Sequence, residues 1–312
     1  MPSLRRVNLM PEVESIVVHS SPSDKEGVEF ARGKVAYVVP KGFSVVDEST
    51  TKLAAYPYHQ LLITSLRQSE DGQDHYLVGY WNYKAVEAKE RLTRKDSKSV
   101  PILNRLARDE IVLTDHKAAV HIETVLDIMP DPMVHLNDTL PTHYNTFRGQ
   151  DCRWVYRYYL QGSQSARPTL RQITGGDPRN PKLTDDITRC TQCRLNYSPN
   201  FDKQIFCARC KLWFHLGCVK LYPGVQDRWL EGDSLKDNIS RAPIVRGNHW
   251  SPEDVEASRH LWMLFSSGQA VMKAKNGVFD VNFLDFNENS VAQRLSALKL
   301  GYYECPRCEN LI

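Results

Sequence analysis

Short apolar runs, each closed by a turn cluster, fill the first half of the chain. Lys34-Val35-Ala36-Tyr37-Val38-Val39 ends at Pro40-Lys41-Gly42, and Leu61-Leu62-Ile63-Thr64-Ser65-Leu66 follows. The stretch from His75 to Tyr83 is dense in β-branched and aromatic residues, which suit a pleated, half-buried surface. Ser69-Glu70-Asp71-Gly72-Gln73 separates these last two runs and predicts an antiparallel hairpin. Ile111-Val112-Leu113 and Val120-His121-Ile122 continue the pattern. Several short strands with little helical periodicity predict a small barrel or twisted sheet. Asp151 to Leu160, with Trp154, Tyr156, Tyr158 and Tyr159, is expected to pack the end of that domain. Residues 1–27, polar apart from Ile16-Val17-Val18, read as an N-terminal extension.

The pattern changes after Leu160. Gln161-Gly162-Ser163-Gln164-Ser165 and Gly175-Gly176-Asp177-Pro178-Arg179-Asn180-Pro181 predict a linker over 161–186. Further on, Ser251-Pro252-Glu253-Asp254 has a capping serine, proline in the first turn and acids at the positive end of the helix dipole. Val255, Leu261, Trp262, Leu264 and Phe265 follow at roughly helical spacing. A second helix is expected from Ser290, with Val291, Leu295 and Leu298 on one face and Gly301 past its end. The segment 219–304 is too apolar for a disordered loop, so a folded helical lobe is expected over about 225–300.

Composition narrows the class. The chain has 312 residues, enough for two domains, and its 41% apolar and 25% charged content is ordinary for a globular protein. A net charge of +3 does not favour non-specific binding to nucleic-acid phosphates. No apolar run reaches the length of a transmembrane helix, and the opening residues lack the apolar segment of a signal peptide. A basic cluster at Arg91, Arg94, Lys95 and Lys98 reads as a solvated loop. No Ser/His/Asp set, glycine-rich phosphate loop or paired-carboxylate motif argues for an active site, so the chain is not expected to be an enzyme.

The cysteines carry the most specific chemistry. Cys190, Cys193, Cys207, Cys210, His215, Cys218, Cys305 and Cys308 account for every cysteine but Cys152. Each falls in a pair with a two-residue spacer, which lets both donors face one tetrahedral ion. Such donors fill two closed sites with no open position, so two structural Zn2+ ions are expected. Thiolate ligands also imply a reducing compartment, cytosol or nucleus.

The segment Cys210-Lys211-Leu212-Trp213-Phe214-His215-Leu216-Gly217-Cys218 resembles the PHD finger, with its aromatic pair directly before the histidine. A RING finger has its histidine fourth among the ligands; here it is fifth, against ubiquitin-ligase activity. The resemblance implies a cross-brace. Cys190, Cys193, His215 and Cys218 would hold one ion, and Cys207, Cys210, Cys305 and Cys308 the other. It also makes Trp213 the candidate contact to a histone H3 N-terminus or its methylated lysine 4, with Tyr197 as a second wall. The PHD finger would span 187–312, with a zinc core at 190–218 and 302–312.

The first half is similar to a bromo-adjacent homology (BAH) domain over residues 28–160. The resemblance rests on Trp81-Asn82-Tyr83-Lys84, on Asp109 to His116, on Val120 to Val125 and on Asp151 to Tyr158. Lys84 and Ala85 stand where that family has Arg-Pro. BAH followed by PHD resembles plant and fungal chromatin proteins that read trimethylated lysine 27 of histone H3. By that resemblance Trp81, Tyr83 and Tyr58 form a methyl-lysine cage, Tyr56 or His59 being the alternatives for the third wall. Asp115 and His116 would line the peptide groove. Residues i and i+2 of a strand share a face, which independently places Trp81 beside Tyr83. The resemblance thus implies a nuclear reader that joins the histone H3 tail of a nucleosome to a repressive, Polycomb-type assembly. The rival reading is a methyl-independent adaptor that holds a corepressor subunit.

Overall fold

A computed structural model describes residues 3–19, 27–39, 58–92, 98–107, 110–129, 133–136, 154–223, 242–247, 250, 255, 258, 270–271, 280–281 and 301–312. They fall into two compact units, the first ending at Ile187 and the second beginning at Thr188.

The first unit is built on an 11-stranded sheet. Its strands are β1 (Glu12–Val13), β4 (Val35–Val38), β5 (His59–Gln68), β6 (His75–Lys84), β7 (Glu110–Thr114), β8 (Lys117–His121), β9 (Val125–Ile128), β10 (Val134–His135), β11 (Val155–Gln161), β12 (Thr169–Asp177) and β13 (Asn180–Thr184). A separate hairpin pairs β2 (Ser15–Val18) with β3 (Val28–Ala31). The main order is β13-β12-β11-β7-β6-β5-β4-β9, with β1 added on β5, β8 on β6 and β10 on β11. All pairings are antiparallel except β11 with β7 and β10 with β11. Three short helices are described: α1 (Leu4–Val7), α2 (Ala85–Arg91) and α3 (Val100–Leu103).

The β5–β6 hairpin forms as the run pattern predicts, in register from Gln60↔Asn82 to Gln68↔His75. Its turn closes on side chains: Ser69 Oγ donates to Asp71 Oδ1, and the Asp74 amide donates to Ser69 Oγ at 2.8 Å. A register shift between Ile63 and Ser65 brings the two backbones together at Gly79, where a Cβ would lie 2.2 Å from the Leu62 carbonyl oxygen. Only glycine permits that crossing. Buried apolar side chains gather in three main clusters, around Leu61, Ile63 and Leu77; around Leu103, Val112 and Tyr158; and around Leu62, Ile111 and Trp154.

Two boundaries differ from expectation. The stretch 161–186 is not a linker, because β12 pairs with β11 and β13 pairs with β12. Gly175-Gly176-Asp177-Pro178-Arg179 belongs to that hairpin, tightened where Arg179 donates to Asp177 at 2.7 Å. β11 is therefore an interior strand, not the last of its domain. Nor do the first residues merely precede the fold, since β1 pairs with β5 through Glu12↔Arg67 and Val13↔Leu66.

The second unit contains β14 (Gln204–Cys207), β15 (Leu212–His215), β16 (Lys220–Leu221), β17 (Val245–Arg246), β18 (Ala270–Val271), β19 (Asp280–Val281) and β20 (Tyr303–Glu304). β15 and β17 flank β14, β16 pairs with β20, and β18 pairs with β19. A 3-10 turn spans Leu216–Cys218. Ile205, Phe214 and Ile312 pack with Cys190, Cys207 and Cys305 in its small core. Most of the expected helical lobe, including Trp262 and Leu295, lies outside the described residues, as do Cys152 and Tyr56. Val255 and Ser258 are helical and buried, but the described parts of 225–300 also include the strands β17, β18 and β19. Among the described residues no helix is long and apolar enough to cross a membrane.

Candidate functional sites

The candidate metal ligands assemble into two sets, Cys190, Cys193, His215 and Cys218, and Cys207, Cys210, Cys305 and Cys308. Within each set the donor atoms lie within 4.8 Å of one another. The interleaved pairing implied by the PHD resemblance is the one found. A tetrahedral ion bonded to thiolates at about 2.3 Å needs sulfur–sulfur edges of about 3.8 Å. The Cys207–Cys308 and Cys210–Cys305 separations of 3.6 and 3.7 Å suit it. The seven cysteines of these sets carry no disulfides.

Local backbone shape explains why these pairs converge. The residue after each Cys-x-x-Cys pair is left-handed: Arg194 at φ 63°, Lys211 at 58° and Glu309 at 58°. Its amide donates back to the carbonyl of the first cysteine, at 2.9 Å for Arg194, 2.8 Å for Lys211 and 2.9 Å for Glu309. The same knuckle thus occurs three times, each turning two sulfurs toward one point.

His215 shows how the protein orients a donor. Its Nδ1 lies 3.1 Å from Cys193 Sγ, facing the thiols, while Nε2 lies 3.0 Å from Asp202 Oδ2. The same carboxylate oxygen accepts the Ser198 amide at 2.6 Å. A carboxylate behind a ligating imidazole fixes its tautomer and strengthens it as a donor. Sequence reasoning missed Asp202; its only signal was an acid in the loop between ligand pairs.

The second site lies at the end of the β5–β6 hairpin. Trp81 and Tyr83 share a face of β6, and both pack on the cluster around Leu103 and Tyr158. Thr114 Oγ1 donates to the Trp81 carbonyl at 2.6 Å, and the Trp81 amide donates to the His116 carbonyl at 3.0 Å. The end of β7 and the turn after it therefore hold the Trp81 backbone at both its amide and its carbonyl. Tyr83 is only 6% exposed; its hydroxyl bonds His116 Nδ1 and its ring meets that imidazole edge-on, centroids 5.9 Å apart. The Arg91 guanidinium lies 5.8 Å above the Tyr83 ring.

Tyr58, expected as the third wall, does not face Trp81. Tyr58 turns to Tyr37, with ring centroids 6.4 Å apart, and packs in the cluster around Leu62 and Trp154. His59 instead meets Trp81 edge-on at 5.7 Å. Neighbouring residues of an extended chain face opposite ways, so one ring can meet Trp81 and the other cannot. Glu87 fixes His59, accepting from Nδ1 at 2.8 Å, while its other oxygen accepts the Lys84 amide at 2.7 Å and caps α2. Lys84-Ala85, the departure from the family's Arg-Pro, thus opens a helix.

Asp115 and His116 do different work. Asp115 accepts from the Ser163 amide at 2.8 Å, from Ser163 Oγ at 2.6 Å and from the Gly162 amide, so it ties the end of β11 to β7. Burial opposes its charge, yet these donors hold the carboxyl below its usual range. His116 faces Tyr83, and burial together with Arg91 holds its imidazole below the usual range despite nearby Asp115. Only His116 belongs to the aromatic cluster.

No known family's sequence profile matches the chain, and no curated protein matches it by sequence. Among solved structures, similarity is found to the yeast Rsc2 BAH domain, with a TM-score of 0.31 and 9% identity over 61% of this chain and 75% of that one. So slight a likeness carries no argument, and the fold rests on the strand pairing described above.

Proposed function

We propose that this chain is a nuclear chromatin reader of BAH–PHD type. Its β-rich unit recognises a methylated histone H3 tail, trimethyl-lysine 27 above all, and its second unit is a finger closed by two Zn2+ ions. The observation that supports the reading is the aromatic group Trp81, Tyr83 and His59, buttressed by His116, at one end of the hairpin. A quaternary ammonium has no proton to donate and is recognised through electron-rich ring faces. Trp81, less buried than Tyr83, supplies the main face; Tyr83 and His116 stiffen it. Soft thiolate donors in tetrahedral sets favour zinc over the hard cations. Because every donor of those sets serves to close a four-ligand site, the metal in this reading acts in folding. Its partners would be the nucleosome and a corepressor subunit. Peptide titration of the wild type and Trp81→Ala with trimethylated and unmodified tails tests the reading.

A second reading is favoured by one observation, the burial of Tyr83 beneath Arg91. In that reading Trp81, which packs on the same cluster, is a packing residue as well, and the unit is a methyl-independent adaptor. Partner binding that survives Trp81→Ala would support it.

A further inference from the structure

We propose that the finger contains an arginine-binding slot, formed by Tyr197, Trp213 and Gln204, which the chain fills with its own Arg246. The guanidinium carbon lies 4.0 Å from the Tyr197 ring centroid and 4.3 Å from that of Trp213. Arg246 Nε donates to Gln204 Oε1 at 2.8 Å. Arg246 is 1% exposed, and the three residues that hold it are buried as well.

The backbone delivers that side chain as an added strand. β17 pairs antiparallel with the β14 edge opposite β15, with Gln204 across from Arg246 and Ile205 across from Val245. The Phe206 amide donates to the Ile244 carbonyl at 2.9 Å, and the Val245 amide donates to Ser258 Oγ at 3.1 Å. Gly247 follows at φ 119°, where a Cβ would lie 2.1 Å from the Asp202 carbonyl oxygen, so only glycine lets the chain leave the slot by this path. Strand addition at a sheet edge with one side chain pocketed is a general way to bind an extended peptide. Here ligand and receptor are the same chain.

The chemistry selects arginine. A planar guanidinium stacks on aromatic faces and still donates in its plane. A trimethylammonium has no N–H and would leave the buried Gln204 carbonyl without that donor, which is costly. Trp213, the residue expected to touch a histone tail, is thus covered by an internal ligand. A tail that sought it would first have to displace β17. This inference does not depend on the cage at β6.

The test uses the intact, zinc-loaded chain. Arg246→Ala should lower the melting temperature of the second unit. Millimolar methylguanidinium should restore part of the loss in the variant and leave the wild type unchanged, while tetramethylammonium at the same concentration should restore nothing. Equal effects of the two ions, or no rescue by methylguanidinium, would overturn the proposal. Should Arg246→Ala fail to fold, a second measurement decides. A peptide of the first twelve histone H3 residues, trimethylated at lysine 4, should not bind Trp81→Ala protein, in which the β6 cage is removed and the finger is intact. Binding that disappears when Trp213→Ala is added would show an open slot and overturn the proposal.

Discussion

Arg157 on β11 and Glu110 on β7 form a doubly hydrogen-bonded ion pair with no exposed surface, Nε to Oε1 at 2.6 Å and Nη2 to Oε2 at 2.8 Å. A register shift between Tyr156 and Tyr158 turns Arg157 toward its partner, and Glu110 Oε2 also accepts the Ala107 amide at 3.1 Å. The pair sits in the parallel β11–β7 seam. Removing one partner leaves a buried charge unpaired, which costs about 3–5 kcal/mol.

Arg157→Met is therefore expected to lower the stability of the first unit by about 3–5 kcal/mol. The double replacement Arg157→Met with Glu110→Leu should recover most of that loss, because neither charge then remains. Urea unfolding followed through the first unit measures both. A single replacement as mild as a surface substitution would mean that water reaches the pair.

The metal sets give a second prediction. Reduced protein should contain two zinc ions per chain by elemental analysis. Cys190→Ser should unfold the second unit and leave the first folded, since bound metal would be the main source of folding energy for so small a core. Asp202→Ala should weaken metal affinity by about 10–100-fold in competition with a chelator. An unchanged affinity would mean that the Asp202–His215 bond does not orient the ligand.

A third prediction concerns acid. The groups facing His116 are Tyr83 on β6, Arg91 on α2 and Asp115 in the turn after β7. Burial and Arg91 depress its folded pKa, so the folded unit holds neutral imidazole where the unfolded chain already binds a proton. Its contribution to stability is present above the unfolded value of about 6.5 and is lost as pH falls through the depressed folded value. Thermal melts should show that loss, and His116→Gln should reduce it. A His116 resonance that titrates at the ordinary histidine value would contradict the assignment.

These residues also show what was legible beforehand. The β5–β6 hairpin follows from a spacing local to the chain and the interleaving of the metal sets from the PHD resemblance, and the structure has both. β12 and β13 were masked by glycine, proline and polar residues; these belong to their connecting turn and to exposed strand positions. The choice between Tyr58 and His59 depends on a one-residue register, and a one-residue slip exchanges faces. Arg157 could not be foreseen inside the fold, because a bulge decides where it points. Arg246 reaches Trp213 only through the return of a long insertion, which no local pattern reveals.

The cage is tested most directly by calorimetry with histone H3 peptides centred on lysine 27, trimethylated and unmodified. Tyr83 packs in the core, and truncating a buried aromatic ring costs about 3–5 kcal/mol, so Trp81→Ala is the cleaner probe. Tyr83→Phe keeps the ring and removes only the hydroxyl that bonds His116. The wild type should prefer the trimethylated peptide, Tyr83→Phe should retain most of the preference, and folded Trp81→Ala should lose about thirtyfold in affinity for it. Folded Trp81→Ala protein that discriminates between the two peptides as well as the wild type would contradict the account and make these rings packing residues.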